Sequence, residues 1–78
     1  MSINELLDSY VRARNTERII TITNQIINFV VESPISLDNL FNQYTPRNPN
    51  HDNKVRILLQ EIRPVVQNER LARRRRNN

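Results

Sequence analysis

Ile19-Ile20-Thr21-Ile22-Thr23-Asn24-Gln25-Ile26-Ile27-Asn28-Phe29-Val30-Val31 is the stretch on which the fold turns. It is dense in β-branched residues, which favour strands. A hairpin around Asn24-Gln25 is one reading, yet neither residue is the glycine that two-residue turns prefer. The whole chain contains no glycine. Against the strand stands the spacing: Ile19, Ile22, Ile26, Phe29 and Val30 recur at steps of three and four, the period of one helical face. The spacing therefore predicts a helix over residues 16–32, and with it an all-α chain.

Upstream, Ser2-Ile3-Asn4-Glu5 fits a capping box, in which serine and glutamate satisfy each other's free backbone donors. Ile3, Leu6, Leu7, Tyr10 and Val11 follow at helical spacing, predicting a first helix over residues 3–14. Placed on one straight helix, the Ile19 stripe would point roughly opposite this first stripe. Either the helix breaks near Asn15-Thr16, or one long helix serves two neighbours. The break is the preferred reading, since either residue can cap a new helix.

Downstream, Pro34 disfavours helical geometry at Ser33 and stops the segment. Ser36 then caps a short helix, about residues 36–44, with Asp38 at its positive end. Leu37, Leu40, Phe41 and Tyr44 form its apolar face. Thr45 to Asn53 reads as loop, with two prolines and four Asn or Asp residues. Asp52 is a candidate cap for a last helix over residues 53–72. Its stripe is Val55, Leu58, Leu59, Ile62, Val65 and Val66. Pro64 lies inside the stripe and predicts a kink or a restart there. The expected architecture is a small bundle of three to four helices, with residues 1–68 as the helical domain and residues 69–78 as a basic C-terminal tail.

Charge is distributed unevenly. Residues 69–78 hold five arginines and one glutamate, which accounts for the entire formal charge of +4. The body is neutral. Runs of like charge are usually solvated interaction tails, so the run is expected to fray into solvent. Eleven of the twelve basic residues are arginine, whose planar fork suits phosphate and carboxylate. Arg70, Arg73, Arg74, Arg75 and Arg76 are the candidate nucleic-acid contacts. No aromatic interleaves them, so the expected contact is to backbone, without sequence preference. The same run would serve as a nuclear-import signal or dock on an acidic protein surface. The plain alternative is a tail that only keeps the chain soluble.

The segment from Ile35 to Val66, a short helix, a connection and a longer helix bearing Lys54, Arg56 and Arg63, loosely resembles a helix-turn-helix or winged-helix core. That resemblance implies Asn53 to Arg63 as the recognition helix. The connection departs from the pattern: it runs nine residues, Thr45 to Asn53, where such motifs use three or four.

Other chemistry finds little to work with. There is no cysteine and one histidine, His51, so neither a disulfide nor a structural zinc site is expected. No glycine-rich phosphate loop, nucleophile elbow or metal-ligand spacing occurs, so no enzyme, cofactor or small-molecule substrate is expected. His51 reads as a surface residue. Ser33-Pro34 and Thr45-Pro46 are formal proline-directed phosphorylation sites in loops. No apolar run approaches the roughly 20 residues of a membrane span, and the N-terminus lacks the pattern of a secretory signal. The expectation is an intracellular protein, nuclear or virion-associated. Its glycine-free, Asn- and Ile-rich composition would suit a small viral protein.

A chain of this size buries only roughly 60% of its unfolded surface and is marginal alone. A homodimer is therefore expected as an aid to stability, with Ile19, Ile22, Ile26 and Phe29 as its interface. In the alternative reading the chain is an adaptor working through that apolar face.

Overall fold

The computed structural model describes residues 2–45 and 48–76, with side-chain surroundings through Arg75. The protein is all-α. Helix α1 spans Ile3–Arg12, α2 Thr16–Glu32, α3 Leu37–Asn42 and α4 Pro49–Arg76. No strand occurs among the described residues.

Each start carries its own cap. Ser2 Oγ accepts from the Glu5 amide at 3.3 Å, and Asn15 Oδ1 accepts from the Glu17 amide at 2.9 Å. Ser36 Oγ accepts from the Asn39 amide at 3.2 Å. These contacts satisfy donors that the first helical turn leaves open. In α2 the β-branched threonines do not divert the chain into a strand. Thr21 and Thr23 donate their hydroxyls to the carbonyls four residues back, at 2.9 and 2.7 Å. This is the usual way a helix absorbs them.

The break between α1 and α2 falls at Ala13–Asn15. It lets α2 turn back, so that both stripes face one core. That core holds Leu6, Leu7 and Val11 of α1, Ile22, Ile26 and Val30 of α2, Leu40, Phe41 and Tyr44 around α3, and Val55, Leu58, Ile62 and Val66 of α4. Helix α1 packs on α2, and α4 packs on the other three. At about 1.5 Å per residue, the 28 residues of α4 make a rod of roughly 42 Å. That equals the 43 Å long axis of the molecule. Helix α4 is the spine, and the other three cover one side of it.

Three expectations about α4 give way. It begins at Pro49 instead of residue 53, so the connection from α3 is six residues, Gln43 to Asn48. Its cap is Asn48, whose side-chain oxygen accepts from the Asn50 amide at 3.0 Å. Asp52 lies in the first turn instead, pairing with Arg56 at 2.9 Å. Proline at the first helical position loses no bond there. At Pro64, where a kink or a restart was expected, there is no restart: α4 is continuous through it. Finally, the arginine run does not fray: residues 73–76 belong to the helix. Arginine is a good helix former, and positive charge is favoured where the helix dipole is negative.

Candidate functional site

The basic end of α4 lies against the exit of α2. Helix α2 ends at Glu32, and Ser33 to Ser36 lead into α3. Among the carbonyls of that exit, Val30 O accepts from the Ser33 amide at 3.1 Å, and Arg70 adds a side-chain donor. Its Nη2 donates to the Val30 carbonyl at 2.7 Å, to Ile35 at 2.9 Å and more weakly to Ser33 at 3.4 Å. A guanidinium has its five donors in a fixed fork, which fits it to converging acceptors. Its Nε is enclosed without a partner of its own among the described residues. Arg70, expected at the start of a free tail, is a side-chain cap for a helix 40 positions away.

The neighbouring arginines divide by what they touch. Arg73 is half-buried, with Nη1 3.6 Å from Glu32 Oε1. Arg74 and Arg75 are exposed and form no ion pair among the described residues. Arg76 closes α4, and its side chain lies outside the described residues. Between α4 and the α2 exit runs an open groove of about 580 Å³, lined by Val31, Ser33, Pro34, Gln67, Arg70, Leu71, Arg73 and Arg74. One wall is the serine-proline corner. The other is the arginine run.

A second basic cleft lies near the other end of the rod. It also measures about 580 Å³, and Arg12, Arg14, Asn48, Asn50, His51 and Lys54 are among its lining residues. His51 is not the freely exposed residue expected. It is half-buried, and its Nδ1 has no hydrogen-bond partner among the described residues. The neighbouring Arg12 and Arg14 sit in plain sight in the sequence. Their meeting with Lys54 depends on α1 ending where α4 begins, and no local pattern reveals that.

The stripe expected at a dimer or partner interface is largely spent within the chain. Ile26 is fully buried, Ile22 nearly so, and Phe29 packs against the same core. Ile19 is half-buried. The apolar residues left outside are elsewhere: Ile57, Val65 and Leu71 on α4, Ile20 on α2 and Ile35 in the connection.

Among the described residues no group of three or more His, Cys, Asp and Glu side chains could hold a metal ion. No helix among them is long and apolar enough to cross a membrane. No protein-family model matches the chain, and no curated protein or solved structure matches it either.

Proposed function

We propose that this chain is a small non-enzymatic helical protein that binds nucleic-acid backbone through the arginine end of α4, in a nuclear or virion-associated setting. The observation that carries the reading is the division of labour among the arginines. Arg70 is consumed by the carbonyls of Val30, Ser33 and Ile35 and Arg73 leans on Glu32, while Arg74 and Arg75 stand exposed without an ion-pair partner among the described residues. Exposed guanidinium groups at the negative end of a helix favour phosphate, and no aromatic residue lies among residues 69–76 to stack on bases. The specific contacts proposed are therefore Arg74 and Arg75, with Arg76 as a third candidate from the sequence. Arg70 acts as their mount.

Fluorescence anisotropy with a labelled duplex tests the reading across a salt series. Two phosphate contacts predict a slope of about −2 in log K against log salt. Replacing Arg74 and Arg75 together with glutamine should flatten the slope by about that amount and leave the helical circular dichroism unchanged. Substitution is the sharper test than deletion, because residues 73–76 are part of the helix. Undiminished binding by the double variant would sink the proposal.

One observation favours a second reading, an adaptor. Ile57, Pro64 and Leu71 are exposed and seven residues apart, so they share one outer face of α4. If that face carries the function, Ile57→Asp should abolish partner capture without altering duplex binding.

A further inference from the structure

We infer that Ser33 is a phosphorylation site, and that the arginines facing it across the groove, Arg73 and Arg74, capture the phosphate. The masking consequence drawn below rests on the nucleic-acid reading; the site itself does not.

Ser33 is followed by Pro34, the residue that proline-directed kinases require after their acceptor, and it stands in the connection between α2 and α3. Its backbone is extended, with φ −76° and ψ 141°, close to the geometry such a kinase must bind. Its hydroxyl oxygen accepts only a local hydrogen bond, from the Ile35 amide at 3.2 Å. Ser33 lines the same groove as Arg70, Arg73 and Arg74. The Arg70 guanidinium already lies 3.4 Å from the Ser33 carbonyl oxygen. A phosphate on this serine would be delivered into a cationic wall.

The chemistry is ordinary phosphoryl transfer from ATP. Ser33 Oγ bonds to the γ-phosphorus as the bond to the bridging oxygen of ADP breaks. The hydroxyl proton passes to the kinase's general base, and ADP leaves. The product is a phosphomonoester bearing between about −1.5 and −2 charge at neutral pH, with three strong acceptor oxygens. Opposite arginines, such a group forms charge-assisted hydrogen bonds. It would draw Arg73 from Glu32, which holds it only at 3.6 Å and is itself largely exposed. It would also occupy Arg74, one of the two arginines proposed to meet nucleic-acid phosphate. The modification would thus replace an external phosphate with an internal one.

The test uses the full chain carrying Thr45→Ala, which leaves Ser33 as the only serine or threonine followed by proline. The protein is treated with a proline-directed serine/threonine kinase and ATP, with Ser33→Ala as the control. Mass spectrometry should find one phosphate, on Ser33. Phosphorus NMR should show the phosphate titrating at lower pH in the folded chain than in urea. Arg73→Gln with Arg74→Gln, folding checked by circular dichroism, should remove that difference. Duplex affinity should fall about tenfold or more on phosphorylation, as expected when phosphate contacts are lost. A folded chain that the kinase leaves unmodified at Ser33 overturns the inference. So does a phosphate that titrates alike folded and unfolded. If the phosphate is captured but the unmodified chain never bound duplex, the site stands and the nucleic-acid reading falls.

Discussion

The hydroxyl of Tyr44 donates a 3.0 Å hydrogen bond to the carboxylate of Asp8, joining the end of α3 to the middle of α1 across 36 residues of sequence. Tyr44 is otherwise a core residue, 7% exposed. Burial pushes its phenol up to about 12, and the bond to Asp8 and the charge of that carboxylate add to the effect. Burial also raises the Tyr10 phenol, helped by the charge of Glu61. The folded value for Tyr44 exceeds the unfolded one. The stability it contributes is therefore fully present below pH 10 and lost as pH rises through about 12. Absorbance at 295 nm should show both tyrosines of the native chain ionising above the ordinary phenol range. Tyr44→Phe should remove the later step. It should also cost about 1 kcal/mol near neutral pH, the usual worth of such a bond, and progressively less above pH 10.

Arg70 should matter for stability more than for affinity. Arg70→Met keeps the stem but removes the guanidinium that the carbonyls of Val30, Ser33 and Ile35 share, leaving Val30 only its bond from the Ser33 amide. Losing charged hydrogen bonds to partly buried acceptors costs about 2 kcal/mol, which for a domain of this size is roughly 10 °C in thermal midpoint. Arg70→Lys should recover only part of it, because an ammonium lacks the fork. Equal stability of all three proteins in a thermal melt would show that the clasp contributes nothing.

Pro64 is exposed on α4 and supplies no amide to the helix. Proline inside a helix costs about 3 kcal/mol relative to alanine. Pro64→Ala should therefore raise the thermal midpoint, with a gain of up to roughly that size. A lowered midpoint would mean that the packing of Ile62 and Val66 on either side requires the proline's bend.

The Asp38–Arg63 pair makes the opposite point. Arg63 grips Asp38 with both terminal nitrogens, at 2.7 and 3.1 Å. The Arg63 hydrogen bonds hold the Asp38 carboxyl below its ordinary range, with the guanidinium charge assisting and desolvation opposing. The folded value is depressed, so the contribution is present above the ordinary aspartate pKa and lost as pH falls through the lowered one. Both side chains are solvent-exposed, and exposed pairs add little to stability. Carboxyl NMR should find Asp38 titrating low in the native chain and near its ordinary value in Arg63→Gln, while the melting curve at neutral pH barely moves.

A core variant addresses the expected interface. Truncating a fully buried isoleucine costs about 2–5 kcal/mol. Ile26→Ala should therefore destabilise the monomer itself, in a urea melt whose midpoint is independent of protein concentration. A midpoint that rises with concentration would restore the stripe to a dimer.

Local signals were enough for much of this architecture. Ser2, Asn15 and Ser36 announce three helix starts, and steps of three and four through Ile22, Ile26 and Val30 outvote the β-branched composition. The errors share one cause, in that each needed information from elsewhere in the chain. Asn48-Pro49-Asn50 resembles loop by composition, yet it is a cap and a first turn. Pro64 allows a kink or a restart, and Ile62 and Val66, both anchored in the core, keep the helix continuous through it. Arg70 reads as the first residue of a tail, because nothing nearby shows that Val30 waits 40 positions upstream. The interface reading of Ile22 and Ile26 followed from the small size of the chain; the turn at residues 13–15 lets that face pack in the chain's own core.

That residues 73–75 are helical changes what their charge can do. Successive side chains on a helix depart about 100° apart, so three neighbouring guanidinium groups form a collar around the axis instead of a ribbon along it. A flat polyanion meets only part of a collar at once. A concave surface, such as a groove of a duplex entered by the end of the rod, meets more of it. The valence of this run is thus set by the curvature of what it touches.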